Sequence, residues 1–167
     1  SMHLIDTHTH LDFPDFAADR SAVLARSRAL GVQQMVVLGV YQSNWQRLWD
    51  LVQNQDGLYA AIGLHPVYLQ QHQPEHLHQL RDWLQTHAGN PKLCAVGEIG
   101  LDYFLPELAQ DQQQTLFETQ LGLAAEFELP ALLHVRRAHA ATIATLKRYR
   151  LKRGGIVHAF AGSLEEA

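Results

Sequence analysis

The sequence predicts an α/β protein built on a parallel sheet, and three observations lead to that fold class. Short apolar runs recur six times along the 167 residues. Each run is nearly continuous in Val, Leu, Ile and Ala, as strands covered on both faces are. Between the runs the apolar spacing lengthens to a helical period.

The strands are expected at Leu4–Thr7, Gln34–Val40, Leu58–Leu64, Leu93–Ile99, Pro130–Val135 and Gly155–Phe160. Phe16, Val23, Ser27 and Leu30 mark a helix after the first run, and Trp45, Leu48, Trp49 and Val52 mark one after the second. Leu77, Leu80, Trp83 and Leu84 form the third helical stripe, and Leu116, Phe117, Leu121 and Ala124 the fourth. Ile143, Leu146 and Tyr149 form the fifth. A sixth helix is expected to open at Gly162-Ser163, with Ser163 as N-cap and Glu166 at the capping-box position. Such an alternation closes either as a doubly wound sheet or as an eight-stranded barrel. A complete barrel takes about 250 residues, so two βα units would be missing here.

Hydrophobic residues make up 47% of the chain and charged residues 18%, enough for one sizeable core, so residues 1–167 read as one domain. Ser1-Met2 reads as a tag remnant. A formal net charge of −4 excludes the global positive field of a non-specific nucleic-acid binder, and any phosphate-handling surface must be local. The single cysteine, Cys94, rules out an intramolecular disulfide, suits a reducing cytoplasm and is expected to pack as a small hydrophobe. No secretory signal and no run of about 18 apolar residues is present, so no membrane association is expected. Within "LQQHQPEHLHQL", His72, His76 and His78 read as surface residues of a loop and helix start.

Chemistry concentrates at the strand ends. In "IDTHTHLDF" the two-residue period of a strand puts Asp6, His8 and His10 on one face, where the two imidazoles can chelate one ion. Glu98 ends "KLCAVGE", His134 ends "LPALLH" and His158 lies in "GGIVHAF", each at or near a carboxyl end of a strand, where sites of α/β sheets sit. A single histidine in an apolar strand is more often a hydrogen-bonded core residue, but a buried glutamate needs a partner or a metal. Taken together, these residues favour a metal centre. Imidazoles with carboxylates accept zinc, manganese, iron or, less readily, magnesium, and a carboxylate such as Glu98 can bridge two ions.

Other polar groups adjoin these ends. His65 in "IGLHP" could reach a phosphate or water, and Arg136 and Arg137 could hold a phosphate bidentately. Alternation puts Arg136 on the face of His134 and favours it over Arg137. Asp102 and Asp6 could orient a ligand histidine from behind. Tyr103, beside Phe104, could stack on a base or cover the rim. His139, at the start of the fifth helix, is the weakest candidate.

The chain resembles the TatD family of metal-dependent deoxyribonucleases, within the amidohydrolase-like barrel enzymes. The matching pieces are "DTHTHLDF", "GLHP", "GEIGLDY", "LPALLHVRRA" and "GIVHAFAGS", in the family's order. The resemblance implies a TIM-type (β/α)8 barrel of which about six βα units are present. It implies one or two divalent ions (Mg, Mn or Zn) held by His8, His10, Glu98, His134 and His158. It further implies hydrolysis of DNA phosphodiesters by a metal-activated water, commonly as an exonuclease, acting on DNA ends or a small phosphodiester. Glu98, His65 and Arg136 are the expected catalytic residues, with His65 and Arg136 holding the phosphate.

The family's C-terminal portion, with its last strands and a metal-binding aspartate, has no counterpart in these residues. The chain is therefore expected to be a C-terminally incomplete portion of a longer protein, with open edges on its first and sixth strands that invite self-association. Hydrolysis of amides, lactones or small phosphoesters by the same centre is one alternative reading. An inactive metal-binding fragment is another.

Overall fold

The computed structural model describes residues 4–9, 32–153 and 159–165, and the side chains of 34–149. Six strands lie in one sheet: β1 (Leu4–Thr9), β2 (Val32–Gly39), β3 (Leu58–Ile62), β4 (Leu93–Asp102), β5 (Ala131–Arg136) and β6 (Ala159–Glu165). They follow one another in sequence order, and every neighbouring pair is parallel. The sheet curls so that β1 and β6 approach each other, and among the described residues they form no ladder. The two expected open edges therefore do not stand at opposite ends of a flat sheet. Helices α1 (Trp45–Gln53), α2 (Pro74–His87), α3 (Gln110–Glu126) and α4 (His139–Arg153) fill the connections after β2, β3, β4 and β5. None is long and apolar enough to cross a membrane.

Strand alternation divides the core in two. Met35 and Val37 of β2 and Ala131, Leu133 and Val135 of β5 pack with the helices, around Trp45, Leu80 and Phe117. Val36, Leu38, Ala61, Ala95 and Leu132 form a second cluster on the opposite face of the sheet. Two residues beyond Leu132 on that inner face comes His134, and two further Arg136.

The helical stripes match expectation in α1, where Trp45, Leu48, Trp49 and Val52 are buried, and in α3, where Leu116, Phe117, Leu121 and Ala124 are. In α4 the stripe is displaced. Ile143, expected in the core, is 52% exposed, whereas Thr142 and Thr145 are buried. Two hydrogen bonds make this rotation tolerable: Thr145 Oγ1 donates to the Ala141 carbonyl at 2.7 Å and accepts from Gln114 Nε2 at 2.8 Å.

The expected helix start at Gly162-Ser163 is corrected. Both residues lie in β6, where Ser163 pairs with His134 and Glu165 with Arg136. The parallel ladder to β5 pairs Ser163, with Gly162 at an irregularity in the register, and a local cap signal does not compete with a waiting strand. The expected helix over Phe16–Leu30 and residue Glu166 lie outside the described residues. His78 is exposed as expected, but His72 is half-buried and its Nε2 meets the His65 carbonyl at 2.8 Å.

β4 runs three residues past its expected end. Gly100 allows this, with φ of +148° and no room for a side chain: a Cβ there would overlap the carbonyl oxygen of His134. Gly100→Ala is expected to cost about 2–5 kcal/mol in denaturant unfolding, from overlap and backbone strain together. An unchanged midpoint would contradict this packing. Cys94 sits against the inner cluster, as expected of a small hydrophobe, and burial pushes its thiol up to about 11. Against an ordinary thiol at 9.0, its thiolate fraction at pH 8 falls about a hundredfold. Alkylation by iodoacetamide should therefore be at least that much slower in the native protein than in urea, and equal rates would show Cys94 to be open.

Candidate metal centre

The carboxyl ends of β3, β4 and β5 converge on Glu98, whose side chain is fully buried. A carboxylate in such a place must be met by donors, and two imidazoles meet it. His65, in the turn that follows β3, approaches with Nε2 at 2.9 Å from Glu98 Oε1. His134 of β5 brings Nδ1 to 3.4 Å from the same oxygen. The two rings lie 4.5 Å apart between centroids, tilted by 54°, and both residues are 7% exposed. His65, Glu98 and His134 each offer one ligand-type atom, all within 4.8 Å of one another.

The hydrogen bonds behind the rings give the two histidines different characters. The Val67 amide donates to His65 Nδ1 at 3.1 Å, so the neutral ring carries its proton on Nε2 and presents a donor to Glu98. Burial lowers the His65 pKa in spite of the nearby carboxylates, which keeps this neutral form at pH 7. His134 is braced from the other side: its Nε2 lies 2.8 Å from Asp102 Oδ2. With Nε2–H committed to a carboxylate, Nδ1 is left to face the site, the arrangement that orients metal-ligating histidines. Burial opposes the charged His134 ring, but hydrogen bonds with Glu98 and Asp102 outweigh it and raise the pKa. Burial would likewise raise Glu98, but hydrogen bonds from His134 and His65 prevail and lower its pKa to about 2, so it is ionised at neutral pH.

Two glutamines of α3 hold the strand ends in place. Gln120 accepts from the Leu64 amide at 2.8 Å and donates to the Leu64 carbonyl at 3.0 Å, fixing the residue before His65. Gln113 does the same for Asp102, at 2.7 and 2.8 Å. They lie seven residues, about two turns, apart on one face of the helix. Both are fully buried, and each substitutes for a strand partner where the ladder ends. Apolar spacing alone does not single them out; the signal the sequence holds is two glutamines in register with the apolar stripe of Leu116, Phe117 and Leu121.

Of the residues expected from the sequence, the structure thus gathers Glu98, His134, His65 and Asp102. Arg136 lies at the rim with its guanidinium 3.7 Å from the centroid of Phe104, and Arg137 reaches the same ring at 4.6 Å. Tyr103 is half-buried against the core. His139 opens α4. His8 lies in β1 and Asp6 two residues before it, without described side chains, and His10 and His158 lie outside the described residues.

Comparison with known proteins places this geometry. Residues 5–167 match the family model described as TatD related DNase. Over 163 residues the chain is 44% identical to an uncharacterized metal-dependent hydrolase, YjjV, of Escherichia coli (strain K12), covering 98% of this chain and 62% of that protein. It is 34% identical over 165 residues to the 3'-5' ssDNA/RNA exonuclease TatD of Pantoea vagans, with 98% and 62% covered. The crystal structure of YjjV, a TatD homologue from Escherichia coli K12, superposes with a TM-score of 0.84 at 43% identity, over 96% of this chain and 61% of that one. The chain spans about three fifths of the length of these relatives. Six successive parallel strands with their helices, superposing on that structure, are the corresponding part of a TIM-type barrel. With the family model running from the first strand to the last residue, the chain belongs to the TatD-related DNase family.

Proposed function

We propose that these residues carry much of the active site of a divalent-metal-dependent hydrolase that cleaves phosphodiester bonds at DNA ends. The observation that carries the reading is the ionised, fully buried Glu98 between two imidazoles, one of them braced by Asp102. Relatives named as a metal-dependent hydrolase and as a 3'-5' ssDNA/RNA exonuclease support it.

The donor set fits such an ion. A carboxylate and an imidazole with its outer nitrogen bonded to a second carboxylate are the groups that zinc, manganese or magnesium sites use. In this reading Glu98 and His134 are ligands, joined by His8, His10 and His158, and one or two ions are held. A divalent ion there supplies Lewis acidity and lowers the pKa of water toward neutrality. The protein residues do the rest. Asp102 fixes the His134 ring, Glu98 offers its charge to the metal, and the His65 Nε2–H is available to donate to a phosphate oxygen. Arg136, two residues past His134 on the same face, adds positive charge at the rim.

The tautomer of His65 makes the reading specific, because a ring that donates from Nε2 and accepts at Nδ1 has no lone pair left for a metal. In the full-length protein, Glu98→Gln should reduce cleavage of DNA and of bis-p-nitrophenyl phosphate by about a thousandfold or more. His65→Ala should lower kcat by about a hundredfold while leaving metal content unchanged. Asp102→Asn should instead weaken metal binding by about 10–100-fold. Elemental analysis with steady-state kinetics separates these outcomes. Loss of metal from His65→Ala would make His65 a ligand, and turnover of cyclic amides in place of both phosphodiesters would sink the substrate assignment.

A further inference from the structure

At the rim of the site stands a group of side chains that the chemistry above does not use in full. Phe104 is 38% exposed, one of two large hydrophobic residues exposed among those described. Its position is not loose: the Phe104 amide donates to Asp102 Oδ1 at 3.0 Å, while Oδ2 of the same carboxylate holds His134. One aspartate therefore ties the exposed ring to the buried imidazole. Across the β4–β5 ladder Asp102 pairs with Arg136, and the Tyr103 amide donates to the Arg136 carbonyl at 2.9 Å.

Two guanidinium groups share this ring, at 3.7 Å for Arg136 and 4.6 Å for Arg137. Consecutive strand residues point to opposite faces, so regular backbone would send them apart. Arg137 avoids this by taking a φ of +51°, a conformation that residues other than glycine rarely adopt. A strained residue that brings a second cation to one exposed aromatic ring, at the mouth of a site, is poorly explained by stability. Contacts of this kind are weak at an exposed position.

We infer that Phe104, Arg136 and Arg137 form a clamp for the nucleotide that adjoins the scissile phosphate of a single-stranded nucleic acid. A base takes the ring, and the two guanidinium groups exchange it for the flanking phosphate. Stacking and phosphate pairing are the two interactions by which single strands are held without sequence preference, and the chain's net charge of −4 makes such a local cationic spot necessary. The inference rests on the phosphodiesterase reading and adds to it the residues that set its preference for strands over small esters.

The test uses the full-length protein and a short fluorescent single-stranded oligonucleotide. Anisotropy under chelation reads binding, and kinetics with metal compare the oligonucleotide with bis-p-nitrophenyl phosphate. Phe104→Ala should weaken oligonucleotide binding and raise its KM about tenfold, with Phe104→Trp restoring both. Arg137→Ala should weaken binding and reduce the slope of log Kd against log salt by about 0.7, one phosphate contact on a single strand. Both variants should cleave bis-p-nitrophenyl phosphate within about twofold of wild type. Unchanged oligonucleotide binding in Phe104→Ala, or an equal fall on the small ester, would overturn the clamp and leave the hydrolase reading intact. Binding that depends on Phe104 in a protein that cleaves neither substrate would uphold the clamp and overturn the phosphodiesterase reading.

Discussion

An ionised carboxylate withdrawn from water is tolerable only where donors are fixed around it, and the burial of Glu98 imposes that demand on three strands at once. β3 must end where its following turn can deliver His65, and β5 must run in register to deliver His134. Leaving the charge unmet would cost several kcal/mol, comparable to much of the stability of a small domain. A metal ion would meet the same demand in another way, so the requirement that shapes the cluster also suits Glu98 and His134 to hold one.

The demand propagates outward through hydrogen bonds rather than through apolar packing. Asp102 orients His134 with one oxygen and fixes the Phe104 amide with the other. Gln113 holds the Asp102 backbone, and Gln120 holds Leu64 beside His65. The helix that covers the sheet thus also sets the height of the edge that carries the cluster. Apolar contacts of Leu116, Phe117 and Leu121 fix where α3 lies, and its two glutamines convert that position into the placement of two strand ends.

Much of this was legible in the sequence, for reasons that differ by residue. Strands read well because their two faces are both covered and their apolar runs are unbroken. Glu98 stands out because a carboxylate at the end of an apolar run needs a partner or a metal, and His134 because it ends the neighbouring run. The turn of α4 differs from expectation at Ile143, since a threonine such as Thr145, whose hydroxyl donates to the Ala141 carbonyl, looks polar to any periodicity argument though it is buried. The extension of β6 over Gly162 and Ser163 was hidden for a related reason: the partner that captures those residues, β5, is remote in the chain. Gln113 and Gln120 escaped because their role is set by backbone groups of other elements. Arg137 could not be placed because strand alternation ends with β5 at Arg136 and its own φ is positive, at +51°.

The most direct test of the metal centre is an anomalous difference map from crystals of the full-length protein soaked in manganese. The account predicts a peak bound by Glu98 and by Nδ1 of His134, with Asp102 still on Nε2 and His65 outside the coordination shell. Coordination by His65 Nε2, or a map with no peak at Glu98, would contradict it.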